Sequence, residues 1–288
     1  MFASIRDARE QLAKTGYLVD DELATVVFLG ASLGKPVLLE GPAGTGKTEL
    51  AKAVAQATGS TLVRLQCYEG LDEARALYEW NYRKQLLRIQ ARQALEEGQE
   101  WDALHDDIFS EEFLLARPLL RAIRQQGPTV LLVDETDKAD VEVEGLLLEV
   151  LSEFQVTIPE LGTISATHQP FVVLTSNATR ELSEALKRRC LFAHVDYPDA
   201  VRERAIVMSR VPQTSDELAT ALVRAVRAMR GMELRKAPSI AETIDWARTM
   251  QALGVTELTD EVIQQTLGVV LKHQVDGQRV AEQLGLNP

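Results

Sequence analysis

A parallel α/β core followed by an all-helical segment is the fold class that the sequence predicts, on three observations. Gly41-Pro42-Ala43-Gly44-Thr45-Gly46-Lys47-Thr48 fits the phosphate-loop pattern G-x-x-x-x-G-K-[ST]. Residues 129–135 form a short apolar run that ends in two consecutive carboxylates, Asp134 and Glu135. After the break at Tyr197-Pro198-Asp199, every periodic segment reads as helix.

Taken in order, residues 3–14 have amphipathic helical spacing and stop at Gly16, a residue able to close a helix in the left-handed conformation. Asp20 is placed to cap a second helix through about residue 33, which Gly34 ends. Between them lies an apolar turn, Tyr17-Leu18-Val19. It either folds back over a nucleotide base or packs as plain core. Residues 36–40 read as a buried strand, and Glu49 and the residues after it as a helix of strong formers. Strand, glycine loop and helix together make a nucleotide site. Glycines let backbone N–H groups turn inward, and the helix N-terminus points its positive end at the same anion. Lys47 is then within reach of the outer phosphates, and the Thr48 hydroxyl is a ligand for Mg²⁺.

Residues 61–66 are a second strand. Residues 73–98 are polar and helix-prone, and their charges read as a solvated face. Residues 99–112 are acidic and less regular, and residues 117–126 a short helix stopped by Gly127-Pro128. The run into Asp134 and Glu135 is a third strand, buried on both faces. Asp140 caps a helix through Phe154, and residues 155–158 and 163–166 form a hairpin about Pro159-Glu160-Leu161-Gly162. Residues 171–177 make a fourth strand ending at Asn177, whose amide is placed either to orient water or to make a turn. A short helix carries Lys187, Arg188 and Arg189, and residues 191–195 make a fifth strand. Five helices follow, near residues 199–210, 215–230, 239–253, 259–271 and 275–284.

Bulk properties narrow the classes. A net charge of -12 argues against a nucleic-acid surface. No apolar run is long enough to span a bilayer, and MFASIRDARE lacks a signal-peptide core. Cys67 and Cys190 are isolated, so a reduced, cytoplasmic setting is expected. The histidines 105, 168, 194 and 273 lack metal-ligand spacing and read as structural.

The order of glycine loop, LLVDE strand, TSN strand, KRR-bearing helix, fifth strand and helical tail resembles an AAA+ ATPase. LQCYEG after the second strand and the extra hairpin resemble the MoxR branch. CYEGLDEARALYEW and KAPSIAETIDWAR are similar to ATPases linked to carbon monoxide dehydrogenase maturation (CoxD-like). The resemblance implies an AAA+ core over residues 1–197, with a hairpin insertion near 155–170, and a helical lid over residues 198–288. It implies that residues 41–49, from Gly41 to Glu49, and Asp134 bind ATP, that Thr48 and Asp134 hold Mg²⁺, and that Lys47 and Glu135 are catalytic. Asn177 matches sensor 1. Arg188, with Arg189 as the alternative, lines up with the arginine finger that reaches a neighbouring subunit's nucleotide. A homo-oligomeric ring, usually a hexamer, follows from that, with a chaperone-like role toward a protein client and a von Willebrand A-type partner or metalloenzyme. One departure stands out. Where the branch carries a sensor 2 arginine, this chain reads Lys236-Ala237-Pro238-Ser239-Ile240-Ala241. Arg235 or Lys236 just upstream is the candidate substitute. Two other classes compete: a phosphate-loop kinase of a small molecule, and a DNA-directed motor or nucleotide-regulated binding module.

Overall fold

In the computed structural model of the chain, residues 1–93, 105 and 107–285 are described. Helices α1 (Ile5–Lys14) and α2 (Asp21–Leu33) open the chain. Ser4 and Asp20 cap them by accepting from the Asp7 and Leu23 amides, so the first helix starts two residues later than its periodicity suggests. Then come β1 (Val37–Glu40), α3 (Lys47–Thr58) and β2 (Thr61–Gln66). The expected long helix of residues 73–98 is broken. It consists of α4 (Glu73–Ala76), the strand β3 (Tyr78–Trp80) and α5 (Tyr82–Gln93), and the rest lies outside the described residues. β3 pairs antiparallel with β4 (Leu114–Ala116), a strand that composition did not reveal. Tertiary pairing overrides local helix preference here: Trp80 is buried, edge-on to both Tyr78 and Phe109. Residues 99–104 and 106 of the acidic stretch 99–112 also lie outside the described residues.

The next helix, α6 (Pro118–Ile123), opens on Pro118 at its first position and closes at Ile123, short of the expected Gln126. After it run β5 (Thr129–Asp134), α7 (Val141–Glu153), the hairpin β6 (Gln155–Ile158) and β7 (Gly162–Ser165), and β8 (Phe171–Ser176). The short helix α8 (Glu184–Arg189) leads into β9 (Leu191–His194). Strands of the main sheet lie in the order β2-β5-β8-β1-β9 and all pair in parallel. Alternation sorts their side chains between two cores. Leu38, Leu131, Val133, Val172 and Leu174 face one, while Val37, Leu39, Val130, Leu132, Phe171 and Val173 face the other.

The C-terminal region is helical: α9 (Ala200–Arg210), α10 (Asp216–Arg230), α11 (Ile240–Leu253), α12 (Asp260–Val270) and α13 (Gln274–Leu284). Its apolar residues form a third core around Trp246, whose indole N–H donates to the Thr266 hydroxyl at 2.8 Å. Among the described residues, no helix is long and apolar enough to cross a membrane.

Trp246 is 0% exposed, so Trp246→Ala is expected to cost about 3–5 kcal/mol, as large core truncations do. Urea unfolding followed by far-UV circular dichroism checks this. A loss of under about 1 kcal/mol would mean that the third core does not stabilise the helical region.

Candidate nucleotide site

Parallel register brings the carboxyl ends of β1, β5 and β8 to one edge of the sheet, where open α/β folds bind ligands. The glycine loop leaves β1 there and enters α3 at Gly46. A cavity of about 520 Å³ opens beside it. Tyr17, Leu18, Ala43, Gly44, Thr45, Gly46, Lys47, Thr48, Glu49, Asp134, Glu135 and Asn177, all singled out from sequence, line it together.

The loop leaves no room for side chains at two points. Gly41 has φ +154°, and a Cβ there would come 2.1 Å from the Val195 carbonyl oxygen. Gly44 has φ +78°, and its Cβ would come 2.1 Å from the Ser239 Cβ. Lys47 reaches back across the loop, donating from Nζ to the Gly41 and Pro42 carbonyls at 2.7 Å each. Burial pulls its ammonium below the usual lysine range, against the pull of the Asp137, Asp134 and Glu135 carboxylates. Tyr17 is placed against the loop, its hydroxyl donating to the Gly46 carbonyl at 3.1 Å. Burial pushes that phenol up, so it remains a donor at neutral pH. Leu18 lines the cavity while its carbonyl accepts from Arg202 Nε and Nη2 at 3.2 and 2.8 Å.

At the end of β5, Asp134 is 2% exposed. Its Oδ1 accepts from the hydroxyls of Thr48 (2.9 Å) and Thr175 (2.6 Å), and its Oδ2 from Arg64 Nη2 (2.5 Å). A hydroxyl beside a carboxylate is a hard oxygen donor set that suits Mg²⁺ completed by phosphate oxygens and water. Glu135 has φ 56° and ψ 49°, the left-handed region, which costs a residue with a Cβ about 1–2 kcal/mol. The Thr175 hydroxyl holds it there by accepting from its N–H at 2.9 Å. Such strain is typical of functional positions. The Glu135 carboxylate accepts from Gln66 Nε2 at 2.9 Å and Lys138 Nζ at 2.7 Å.

Asn177 follows β8, its N–H donating to Asp137 Oδ1 at 3.1 Å. Asp137 also accepts from the Thr179 N–H and hydroxyl. Burial alone would raise the Asp137 carboxyl, but these hydrogen bonds outweigh it and hold the group below its ordinary value. Arg188 and Arg189 stand apart from the cavity, exposed at the end of α8, with Arg189 Nε donating to the Ser152 hydroxyl at 2.8 Å.

Several cavity residues escaped the sequence reading. Ile240, Ile244, Asp245 and Arg248 reach it from α11, Arg202, Ile206 and Arg210 from α9. The KAPSIAETIDWAR stretch contains those of α11, but residue pattern does not place them at the cleft, because tertiary docking brings the helices over the loop. Arg64 and Gln66 carried a weak signal: they are the polar alternates of β2, beside the end of β5.

A glycine loop wrapped into a helix, facing a strand-end carboxylate across a cleft, defines a phosphate-loop nucleotide-binding fold. The chain belongs to the AAA family: residues 36–190 match the AAA domain of the dynein-related subfamily. An uncharacterized protein of Staphylococcus haemolyticus is 24% identical over 96% of this chain and 100% of its own length. Another, from Staphylococcus aureus, is 28% identical over 58% of this chain and 57% of its own. Among solved structures, two point variants of RuvB from Thermotoga maritima superpose with a TM-score of 0.50. Their identities are 17% and 18%, covering 97% and 99% of this chain and 82% and 85% of theirs. This likeness is one of fold.

The Asp137 shift has a pH consequence. A carboxyl held below its unfolded value, about 3.9, stabilises the fold above that value, and the contribution is lost as pH falls through the folded value. Asp137→Asn should therefore be less stable than the parent at pH 7, with the difference narrowing below about pH 4. Urea midpoints at pH 7, 5, 4 and 3.5 test it, and a difference independent of pH would overturn it.

Proposed function

We propose that this chain is an ATP-hydrolysing AAA+ protein of the MoxR type, working as a homo-oligomeric ring that remodels or matures a protein client. The observation that carries the hydrolytic reading is the meeting of Thr48 and Asp134 at 2.9 Å, with Glu135 next along the same cavity wall. In this reading, residues 1–197 form the nucleotide-binding part, with the hairpin near 155–170 as an insertion, and residues 198–288 form the lid.

The loop N–H groups and the N-terminus of α3 bind the phosphates, and Lys47 neutralises their outer oxygens. Thr48 and Asp134 would hold Mg²⁺, which supplies charge to the β- and γ-phosphoryl oxygens when bound. Glu135 leaves its contacts with Gln66 and Lys138 to take a proton from, or orient, the attacking water. Asn177 turns its amide toward that water. The apolar side chains Leu18, Leu23, Ile206 and Ile244 line the cleft and would receive the base. Arg188, or Arg189, acts in trans: exposure at the end of α8, away from its own cleft, suits a group that completes a neighbour's site.

Glu135→Gln is expected to retain ATP but lose roughly 100-fold or more in turnover, the range for removal of a general base. Lys47→Ala should lose ATP binding. Phosphate release and equilibrium binding of a fluorescent ATP analogue separate the two. Turnover of Glu135→Gln at the parent rate would remove Glu135 from the mechanism.

Shared sites make a second expectation. Arg188→Ala and Lys47→Ala should each be nearly inactive alone, yet regain turnover when mixed, because a mixed ring pairs an intact loop with an intact arginine. If Arg188→Ala turns over normally while Arg189→Ala does not, the role passes to Arg189. No gain on mixing either arginine variant would argue against a trans-acting arginine.

A further inference from the structure

Two carbonyls of the phosphate loop are taken up by the segment that follows β9. The Tyr197 hydroxyl donates to the Ala43 carbonyl at 3.1 Å, and the Ile240 N–H, opening α11, donates to the Gly44 carbonyl at 3.2 Å. Gly44 lies so close beneath Ser239 that no side chain fits between them. The start of α11 is thus seated directly on the loop. Ser239 secures that end by a reciprocal cap with Glu242.

Both contacts converge on one buried side chain. The Arg230 guanidinium lies 4.3 Å from the centroid of the Tyr197 ring. Its Nε donates to the Pro238 carbonyl at 2.7 Å, immediately before Ser239. Its Nη1 and Nη2 donate to the two Glu203 oxygens at 2.6 and 2.7 Å. Glu203 accepts in addition from the Thr243 hydroxyl at 2.9 Å. The side chains of Arg230 and Glu203 are only 9% and 0% exposed. One ion pair therefore joins α9, α10 and α11 and, through Tyr197 and Ser239, the phosphate loop. A buried pair of this kind is a weak source of stability compared with apolar packing, and its best-attested use is to fix a geometry.

The geometry fixed here concerns the anion. A trans peptide plane carries its C=O and the next residue's N–H on opposite sides, and no described peptide bond is cis. Holding the Ala43 carbonyl sets where the Gly44 N–H points, and holding the Gly44 carbonyl sets the Thr45 N–H. We propose that Tyr197 and Arg230 are positioning residues of the nucleotide site. They orient the loop N–H groups from behind and pass nucleotide occupancy to α11. The proposal rests on the ATP-binding reading. At the start of α11 the cavity is lined by Ile240 and Ala241, with Arg248 further along the helix, and Arg235 and Lys236 are not among the lining residues.

Tyr197→Phe tests it by removing one hydroxyl while leaving a ring beneath Arg230. The probes are a fluorescent non-hydrolysable ATP analogue with Mg²⁺, hydrogen exchange over residues 41–48 and 240–253, and the melting temperature. In the parent, the analogue should slow exchange in both segments. In Tyr197→Phe, its affinity should fall about fivefold, the worth of one hydrogen bond, and the slowing over residues 240–253 should shrink. The melting temperature should stay within about 2 °C, since one lost contact at a loop shifts it little. Arg230→Lys keeps the charge but not the two-pronged pairing or the stacking, so it should weaken the analogue at least as much. Unchanged affinity and unchanged protection of residues 240–253 in Tyr197→Phe would overturn the proposal, as would a drop in melting temperature alone. A parent that does not bind the analogue would take down the ATP-binding reading itself.

Discussion

The arrangement of this protein depends on one buried carboxylate. Asp134 ends β5 almost without solvent, and an ionised group in that position is stable only if its lone pairs are filled. Thr48 from the loop, Thr175 from β8 and Arg64 from β2 fill them. Three chain segments are thereby pinned to one point at the sheet's edge, and the loop's helix is held at a fixed distance from it. The same Thr175 hydroxyl holds the backbone of Glu135 in a conformation that a residue with a side chain avoids. The Glu135 backbone is thus held by the network that satisfies its neighbour.

What was legible in the sequence follows from the range of the forces involved. The glycine loop, the five strands and the helix caps at Asp20, Ser239 and Thr259 are set by local chemistry, so residue type and spacing were enough to find them. That Asp134, Glu135 and Asn177 gather at one cavity was legible because strand ends are recognisable and parallel ends gather. β3 and β4 were missed because each is three residues long and is a strand only through its partner. Tyr197, Arg230 and Glu203 were invisible for a similar reason. They lie far apart from the loop in sequence, and nothing in the surrounding residues distinguishes a buried ion pair from a solvated one. Arg64 and Gln66 sit between these cases: strand alternation gives their face, but only the register with β5 gives their partners.

Tyr17 shows how two open readings of a segment merge. Its turn reads either as cover for a base or as core, and the structure has Tyr17 lining the cavity and half-buried against the loop. A phenol suits this double placement, since its body is apolar and its tip must find a partner when buried. The Gly46 carbonyl is that partner, so the N-terminal turn supports the loop from one side as Tyr197 does from the other.

The magnitude of these supports decides what they are able to do. Among the described residues, the hydrogen bonds between the loop and the segment after β9 are those of Tyr197 to Ala43 and Ile240 to Gly44. At roughly 0.5–1.5 kcal/mol each, they total about 1–3 kcal/mol. The interior of the helical region is held far more firmly, with Trp246, Leu222, Val226, Met229 and Met250 fully buried together. Each such side chain contributes on the order of 1.5–3 kcal/mol. The helices are therefore expected to keep their own packing while their seat on the loop gives way. A seat of this strength lies within what a ligand shifts by binding two states unequally, which is typically 1–3 kcal/mol between coupled sites. Had α11 been bonded to the loop through a core as large as its own, no nucleotide could have moved it. Had it not touched the loop at all, nucleotide would have had no means of acting on it through the loop backbone. The contact at Gly44, tight in space but small in energy, lies between those limits.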